Sequence, residues 1–423
     1  MTSFSPYHTK SREQCVAVIG AGIIGVSCAL YLQEKGFKVT LIDSSGVGQK
    51  ASKGNAGHFA TEQIFPLADR TLIPSLPKML LDPLGPFRIK PSYFLKALPW
   101  FMRFLVNMSS KRFNRNKQAL KALNEVAIPH MQYLVKKAQV EPLMTLSGSL
   151  LVFESEDTQQ IEKLYQMYKN NGVNVESLSR EQALEIEPNL SANITAALLF
   201  PDVGHTCDPE RLTKELFNLF IQQGGHWFKG KIDTIKPEKA NITVIGPAID
   251  RAFNHVVVAA GAWSKSLIKP LGYKVPLEAE RGYHSMVSGN FSLSRPVASY
   301  TRKFIMTPMT EGLRLAGTVE FAGRNTEPQY QRADAFLPHA NAILLEQISS
   351  DNQNQKWMGP RPSLPDSLPV ISKSEQYEGL YFAFGHQHLG LTQAGITGKL
   401  ISQLVSKEKT EIDVRPYSIE RFK

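Results

Sequence analysis

Cysteine is scarce: the 423 residues hold three, Cys15, Cys28 and Cys207. No two stand as C-x-x-C, and a sparse, odd number sets up no disulfide framework, which excludes a stapled secreted scaffold and points to a reducing compartment. Cys15 and Cys28 flank the first strand–helix turn and read as packing residues. Long apolar runs are missing too. No stretch reaches the roughly 20 residues of a spanning helix. The opening MTSFSPYHTKSREQ is polar and lacks an apolar segment, so no secretory signal is expected there. Residues 1–12 read as a loose tail. Blocks of like charge are also absent. The 48 Lys and Arg against 38 Asp and Glu give a net charge of +10, but the basic residues are spread along the chain. No nucleic-acid partner is expected from such a pattern. Repeats and low-complexity tracts are not seen. A cytoplasmic protein follows from these absences, with the inner face of the cell membrane open as a peripheral site.

What is present is an ordinary globular balance, 42% hydrophobic and 20% charged. The length suggests about two domains. The strongest local signal is VIGAGIIGVSCALYLQEKGFKVTLID. It reads as an apolar strand, a glycine turn, a helix stopped by Gly36, and a second strand ending at Asp43. Strand, turn, helix, strand and acid at this spacing make a dinucleotide-binding βαβ unit. Gly20 permits the tight turn, Gly22 lets a pyrophosphate approach the backbone, and Gly25 lets helix and sheet pack closely. The helix start at Ile23 and Ile24 offers N–H groups to phosphate. Asp43, followed by Ser44, is placed to accept from a ribose hydroxyl, and its charge disfavours a 2′-phosphate. The motif alone leaves FAD and NAD both open.

Further segments separate them. SKGNAGHF (52–59), VVVAAGAWS (256–264), GPRPSLPDSLPVI (359–371) and FAFGHQHLGLTQAGITGKLI (382–401) follow in that order. Together with the first motif they resemble the D-amino-acid dehydrogenase branch of the D-amino-acid oxidase superfamily, which includes glycine and sarcosine oxidases. The resemblance covers most of the chain. It implies an α/β fold with a Rossmann-like FAD-binding domain and a mixed-sheet α+β substrate domain. On this basis the FAD domain takes 13–65, 206–266 and 356–423. The substrate domain takes 66–205 and 267–355.

The resemblance also implies site residues. Ser52, Asn55, Ala56 and Gly57 would lie near the flavin, with Ala260, Gly261 and Trp263 on the crossing turn. Gly359, Arg361, His388, Leu389, Gly390, Leu391 and Thr392 would complete the cofactor site. A turn such as HQHLG can aim N–H groups at oxygens that gain charge on reduction; alternatively, His386 and His388 are structural. A histidine near His58 carries covalent flavin in some relatives, but the spacing here does not match. Cysteine attachment is excluded because no cysteine follows Cys207. Non-covalent FAD is therefore expected, and no metal.

Arg361 is the candidate for a substrate carboxylate, because a planar guanidinium binds carboxylate at two points. The alternative is an arginine bracing its loop against Asp366. Tyr283 and His284, in RGYH, are further candidates for touching the substrate, although strand alternation lets only one of them face a given side. The implied reaction is FAD-dependent oxidation of a small amino acid, a D-amino acid or a D-proline- or hydroxyproline-like imino acid. Three alternatives stay open: an oxidase using oxygen, a tRNA-modifying flavoenzyme, and a non-catalytic flavin-binding subunit. Residues 72–106 mix aromatic, basic and proline residues. They could touch a membrane surface that serves a quinone acceptor, or pack as a helix over the substrate domain. The six prolines from Pro74 to Pro99 are expected to break any long helix there.

Overall fold

The computed structural model describes residues 14–75, 84–289 and 292–423. The tail read at residues 1–12, and Pro77 and Pro83 of the basic aromatic segment, lie outside them.

Cys15–Ile19 and Lys38–Asp43 are parallel strands joined by the helix Ile23–Glu34. Nine of the helix's twelve residues are buried, so it lies inside the protein and carries no polar stripe. Its last turn closes at Gly36, whose φ of +82° is a conformation that side chains resist. A six-stranded sheet grows around this unit. Its order is Val370–Lys373, Leu380–Phe384, His255–Val258, Cys15–Ile19, Lys38–Asp43 and His226–Lys229. The first pair is antiparallel and the others are parallel. The first strand thus has neighbours that arrive from opposite directions of the chain. A crevice opens beyond the carboxyl ends of the strands at such a switch point.

Both faces of this sheet are covered, as parallel sheets require. A three-stranded meander, Thr234–Pro237, Ile242–Gly246 and Ile249–Phe253, buries Ile235, Val244 and Phe253 against one face. Helices Pro209–Gln222 and Gly390–Val405 cover the other, sharing a core with the first helix. Asp208 caps the first of these by accepting from Arg211 N–H at 2.9 Å, as Asp-Pro predicts.

Two segments pack across the boundaries expected from the sequence. Helices Ser110–Glu125 and Ala127–Lys137 bury Leu120, Leu123, Met131 and Leu134 in the core of the dinucleotide unit. Their apolar stripe meets the C-terminal helix. Conversely, Gln353–Ser363 pairs along almost its whole length with Glu278–Val287, inside the larger sheet. That sheet has ten strands of mixed direction. Helix Phe336–Ile343 contributes Phe336, Ala340 and Ile343 to its core.

Helix Phe94–Asn107 runs straight through Pro99, contrary to the expected break. An interior proline costs about 3 kcal/mol. Packing of the next residue offsets it: Trp100 stacks on Phe104 at 5.2 Å and meets Phe321 at 5.0 Å. Among the described residues no helix is long and apolar enough to cross a membrane.

Candidate active site

The carboxyl ends of the first strand and of His255–Val258 open into a cavity of about 910 Å³. This is at the upper end of the roughly 300–1,000 Å³ usual for ligand pockets. Gly20 makes its mouth possible. Its φ is +113°, and a Cβ there would lie 2.3 Å from the carbonyl oxygen of Ala259. A Cβ on Gly25 would sit 1.8 Å from the Gly20 carbonyl oxygen, so only glycine lets helix and turn meet. Gly22 precedes the helix and no side chain caps it. Ser52 reaches across instead: its Oγ accepts from Ile23 N–H at 3.0 Å.

Asp43 ties this turn together. Its Oδ2 accepts from Ala21 N–H at 3.0 Å, and its Oδ1 from Ser45 and Gly46 N–H at 2.7 and 3.3 Å. A carboxylate oxygen has two acceptor sites, so Oδ2 keeps one for a ligand hydroxyl. Gly20, Gly22, Ile23, Ile24, Asp43, Ser44, Ser52, Ala260, Gly261 and Trp263 all line this end of the cavity.

The middle of the cavity is held by a loop and two returning segments. Asn55 Oδ1 accepts from Gly57 N–H at 2.8 Å, which folds the NAG loop on itself. Arg314, on strand Gly312–Ala316, donates from Nη1 to the carbonyls of Lys53, at 3.2 Å, and Asn55. Burial lowers this guanidinium's pKa to about 10. Trp357 lies flat against Gly54 and Gly359, where added Cβ atoms would fall 2.0 and 2.1 Å from its ring. Asn55, Ala56, Trp357 and Arg361 line the cavity.

The C-terminal turn closes the far side. His386 Nε2 lies 2.9 Å from Thr397 Oγ1, and His388 Nε2–H donates to Gln63 Oε1 at 2.8 Å. Burial holds both imidazoles neutral, at about 3 and about 4. Helix Gly390–Val405 then begins, again with no side-chain cap. Its first residues Gly390 and Leu391 line the cavity. Two helix starts, neither capped by the side chain of its own N-cap residue, therefore face one cavity, an arrangement suited to an anionic pyrophosphate and to a ring that gains electrons. Gly25, Gly57, Gly359, Leu389 and Thr392 stand just behind the wall. Thr392 Oγ1, for example, accepts from Ala60 N–H at 2.9 Å.

The residues named for substrate fall differently. Arg361 lines the cavity and donates from Nη1 to Glu280 Oε1 and to Thr318 O, both at 3.2 Å. Its ionic partner is therefore Glu280. Asp366 instead pairs with Arg421 at 2.7 Å. Tyr283 faces away from the cavity: its hydroxyl donates to Glu320 at 2.6 Å and accepts from Arg281 at 3.0 Å, within a buried cluster. Burial, with Glu320 beside it, raises this phenol to about 12. His284 lies on the opposite side of the strand. It stacks on Trp357 at 5.2 Å and donates from Nδ1 to Gly54 O at 3.2 Å, so it supports the wall without lining it. Glu280, Arg314 and Trp357 escaped the sequence reading, because only their pairing across distant strands brings them here. Among the described residues no group of three or more His, Cys, Asp or Glu is placed to hold a metal ion.

Comparison with known proteins agrees with this architecture. Residues 15–404 match the family model DAO, FAD dependent oxidoreductase. The chain is 33% identical over 414 residues to a D-amino-acid oxidase from Bradyrhizobium diazoefficiens, covering 96% of this chain and 98% of that protein. It is 29% identical to a D-amino acid dehydrogenase from Vibrio cholerae, over 92% of this chain and 94% of that one. Glycine oxidase from Geobacillus kaustophilus shares the fold, with a TM-score of 0.73 at 20% identity, covering 96% of this chain and 98% of that one. The glycine turn, Asp43 beside it and the paired helix starts fit an FAD, and the chain belongs to the DAO family of FAD-dependent oxidoreductases.

Proposed function

We propose that this protein oxidises a small amino acid at its Cα–N bond, with a D-amino acid or a D-proline-like imino acid as substrate. One observation carries the reading: Arg361 stands on the wall of the cavity into which the glycine turn opens. A guanidinium there would hold the carboxylate and so fix the direction in which the Cα hydrogen points along the cavity. The names of the two relatives support the D configuration. Bound FAD would supply the acceptor for the hydride that leaves Cα. The protein's part is to bind, orient and exclude water. The NAG loop, clamped by Arg314, and the neutral His388 shape the walls. The imine released into water hydrolyses to a keto acid and ammonia, or stays cyclic if the amine is in a ring.

The test is an anaerobic titration of the purified protein with D- and L-amino acids, D-proline and D-hydroxyproline. Loss of the flavin band near roughly 450 nm is expected with the D series. A flavin that no amino acid bleaches would sink the proposal.

We further propose that electrons leave to a quinone at an anionic membrane surface. Helix Phe94–Asn107 supports this. Phe94, Leu95, Leu98, Met102, Leu105 and Val106 are exposed, and at 100° per residue they share one arc of about 120°. Trp100 and Ala97 are buried on the other side. Lys96 and Arg103 are exposed on the same helix, and Lys111 and Arg112 at the start of the next, the pattern of an interfacial segment. The protein should float with vesicles containing phosphatidylglycerol and not with neutral ones. Leu95→Glu with Met102→Glu should abolish flotation and leave anaerobic flavin bleaching unchanged. Equal recovery of both proteins would refute the membrane proposal.

A further inference from the structure

Among the described residues three carboxyls line the cavity: Asp43, Glu62 and Glu280. Asp43 is engaged by backbone N–H groups at the glycine turn, and Glu280 by Arg361. Glu62 has neither. It is 6% exposed, and its Oε2 is buried without a hydrogen-bond partner. The facing imidazole of His58 is 9% exposed, and its Nε2 is equally unpartnered. The two approach only to 3.8 Å, too far for a hydrogen bond. An unsatisfied buried carboxyl oxygen costs free energy unless something arrives to use it.

We infer that Glu62 is the acceptor for the substrate's amine: it takes the hydrogen bond of the incoming ammonium and then its proton. The inference rests on the amino-acid reading above. Arg361 would hold the anionic end of a zwitterion. Glu62 is the cavity carboxyl left for the cationic end. The two belong to one stretch of wall. Gln63, the next residue, accepts from His388, and His388 lies within the fields of both Arg361 and Glu280.

In the step proposed, an N–H bond of the ammonium breaks and an O–H bond forms on Glu62. The charged pair becomes two neutral groups, and no electrons change hands. A dry cavity favours that outcome, because burial penalises both charges. The nitrogen lone pair so released assists departure of the hydride from Cα.

The groups around Glu62 suit the task. His58 stands on its own segment, Tyr168 on helix Thr158–Asn170, His205 on strand Gly204–His205 and His388 on the C-terminal turn, with Lys303 on the cavity wall. Burial holds His58 near 3 and His205 near 4, both neutral, so neither supplies a cation that would draw Glu62 down. Burial raises Glu62 itself to about 8. The accepting carboxylate therefore forms as pH rises through about 8 and is lost below it.

The experiment is anaerobic stopped-flow bleaching of the FAD-loaded protein by D-alanine and D-proline between pH 6 and 10. The second-order rate constant of the unaltered protein should rise tenfold per pH unit and level above about 8. Glu62→Gln should slow bleaching at pH 8 by about 100-fold, the lower end for a positioned proton acceptor. Its break should move up to the substrate ammonium's own value. Glu62→Asp should keep the lower break at a reduced rate. Binding of D-lactate, which has no amine, should be unchanged in Glu62→Gln, as should the visible spectrum. A Glu62→Gln profile that superimposes on the unaltered one overturns the inference while the amino-acid reading stands. Failure of every amino acid to bleach the unaltered protein overturns both.

Discussion

Gly20→Ala will yield a protein without cofactor. The new methyl would lie 2.3 Å from the Ala259 oxygen and 2.7 Å from the Ala259 carbonyl carbon. Both are backbone atoms of the neighbouring strand's end and cannot swing aside. The φ of +113° adds about 1–3 kcal/mol of strain for any side chain. Together these should cost more than about 4 kcal/mol, in the range reserved for core disruption. The turn would have to shift the crossing segment Ala259–Gly261, which lines the same cavity. The expected preparation is colourless or aggregated, with no band near 450 nm even when FAD is added. Gly36→Ala is the control. Its φ of +82° is similarly unusual, but nothing lies within 4 Å of the new atom. It should keep its colour and lose only about 1–2 kcal/mol. If Gly20→Ala binds FAD normally, the close approach at that turn is not what shapes the site.

Arg361→Ala should lower kcat/KM for amino acids by about 10³-fold. Truncating one partner of a buried, hydrogen-bonded charge pair costs about 2–5 kcal/mol. The difficulty is that Arg361 also neutralises Glu280, which is 3% exposed. Removing the arginine alone strands that carboxylate and costs stability. Arg361→Met combined with Glu280→Gln removes both charges at once. This double variant should recover the melting temperature of the unaltered protein and keep its flavin spectrum, yet remain about 10³-fold impaired toward amino acids. Recovery of activity along with stability would assign Arg361 a purely structural role.

Much of this site was legible in the sequence because its residues act locally. Whereas the Asn55 loop was reached only through the family resemblance, the turn glycines and Asp43 shape the backbone within a few residues, so their spacing announces the turn. The same holds for Asp208-Pro209, which predicts its helix from the cap outward. Residues that act across the sheet could not be read this way. Arg361 meets Glu280 because strands Gln353–Ser363 and Glu278–Val287 pair in antiparallel register, and nothing in either string of letters states that register. Tyr283 shows the same limit in reverse. Alternation indicated that it and His284 point to opposite sides, but not which side holds the cavity. Helices Ser110–Glu125 and Ala127–Lys137 show the same limit in their choice of partner. Their apolar stripes identify buried helices but not the surface that buries them. Pro99 was misjudged because local propensity was weighed without the aromatic packing that overrides it.

The order in which the cavity's walls occur along the chain has a consequence for biosynthesis. Its lining comes from residues near 20, 55, 260, 361 and 390. The strand Leu380–Phe384 must still slot beside His255–Val258 before the last helix can dock on the first. A nascent chain on the ribosome can form the opening strand, helix and strand early, but the pocket stays open on one side until residues 380–401 have emerged. A complete cofactor site must therefore wait for those residues. Until then the apolar faces meant for the last helix are exposed to the crowded cell, the interval in which such chains aggregate.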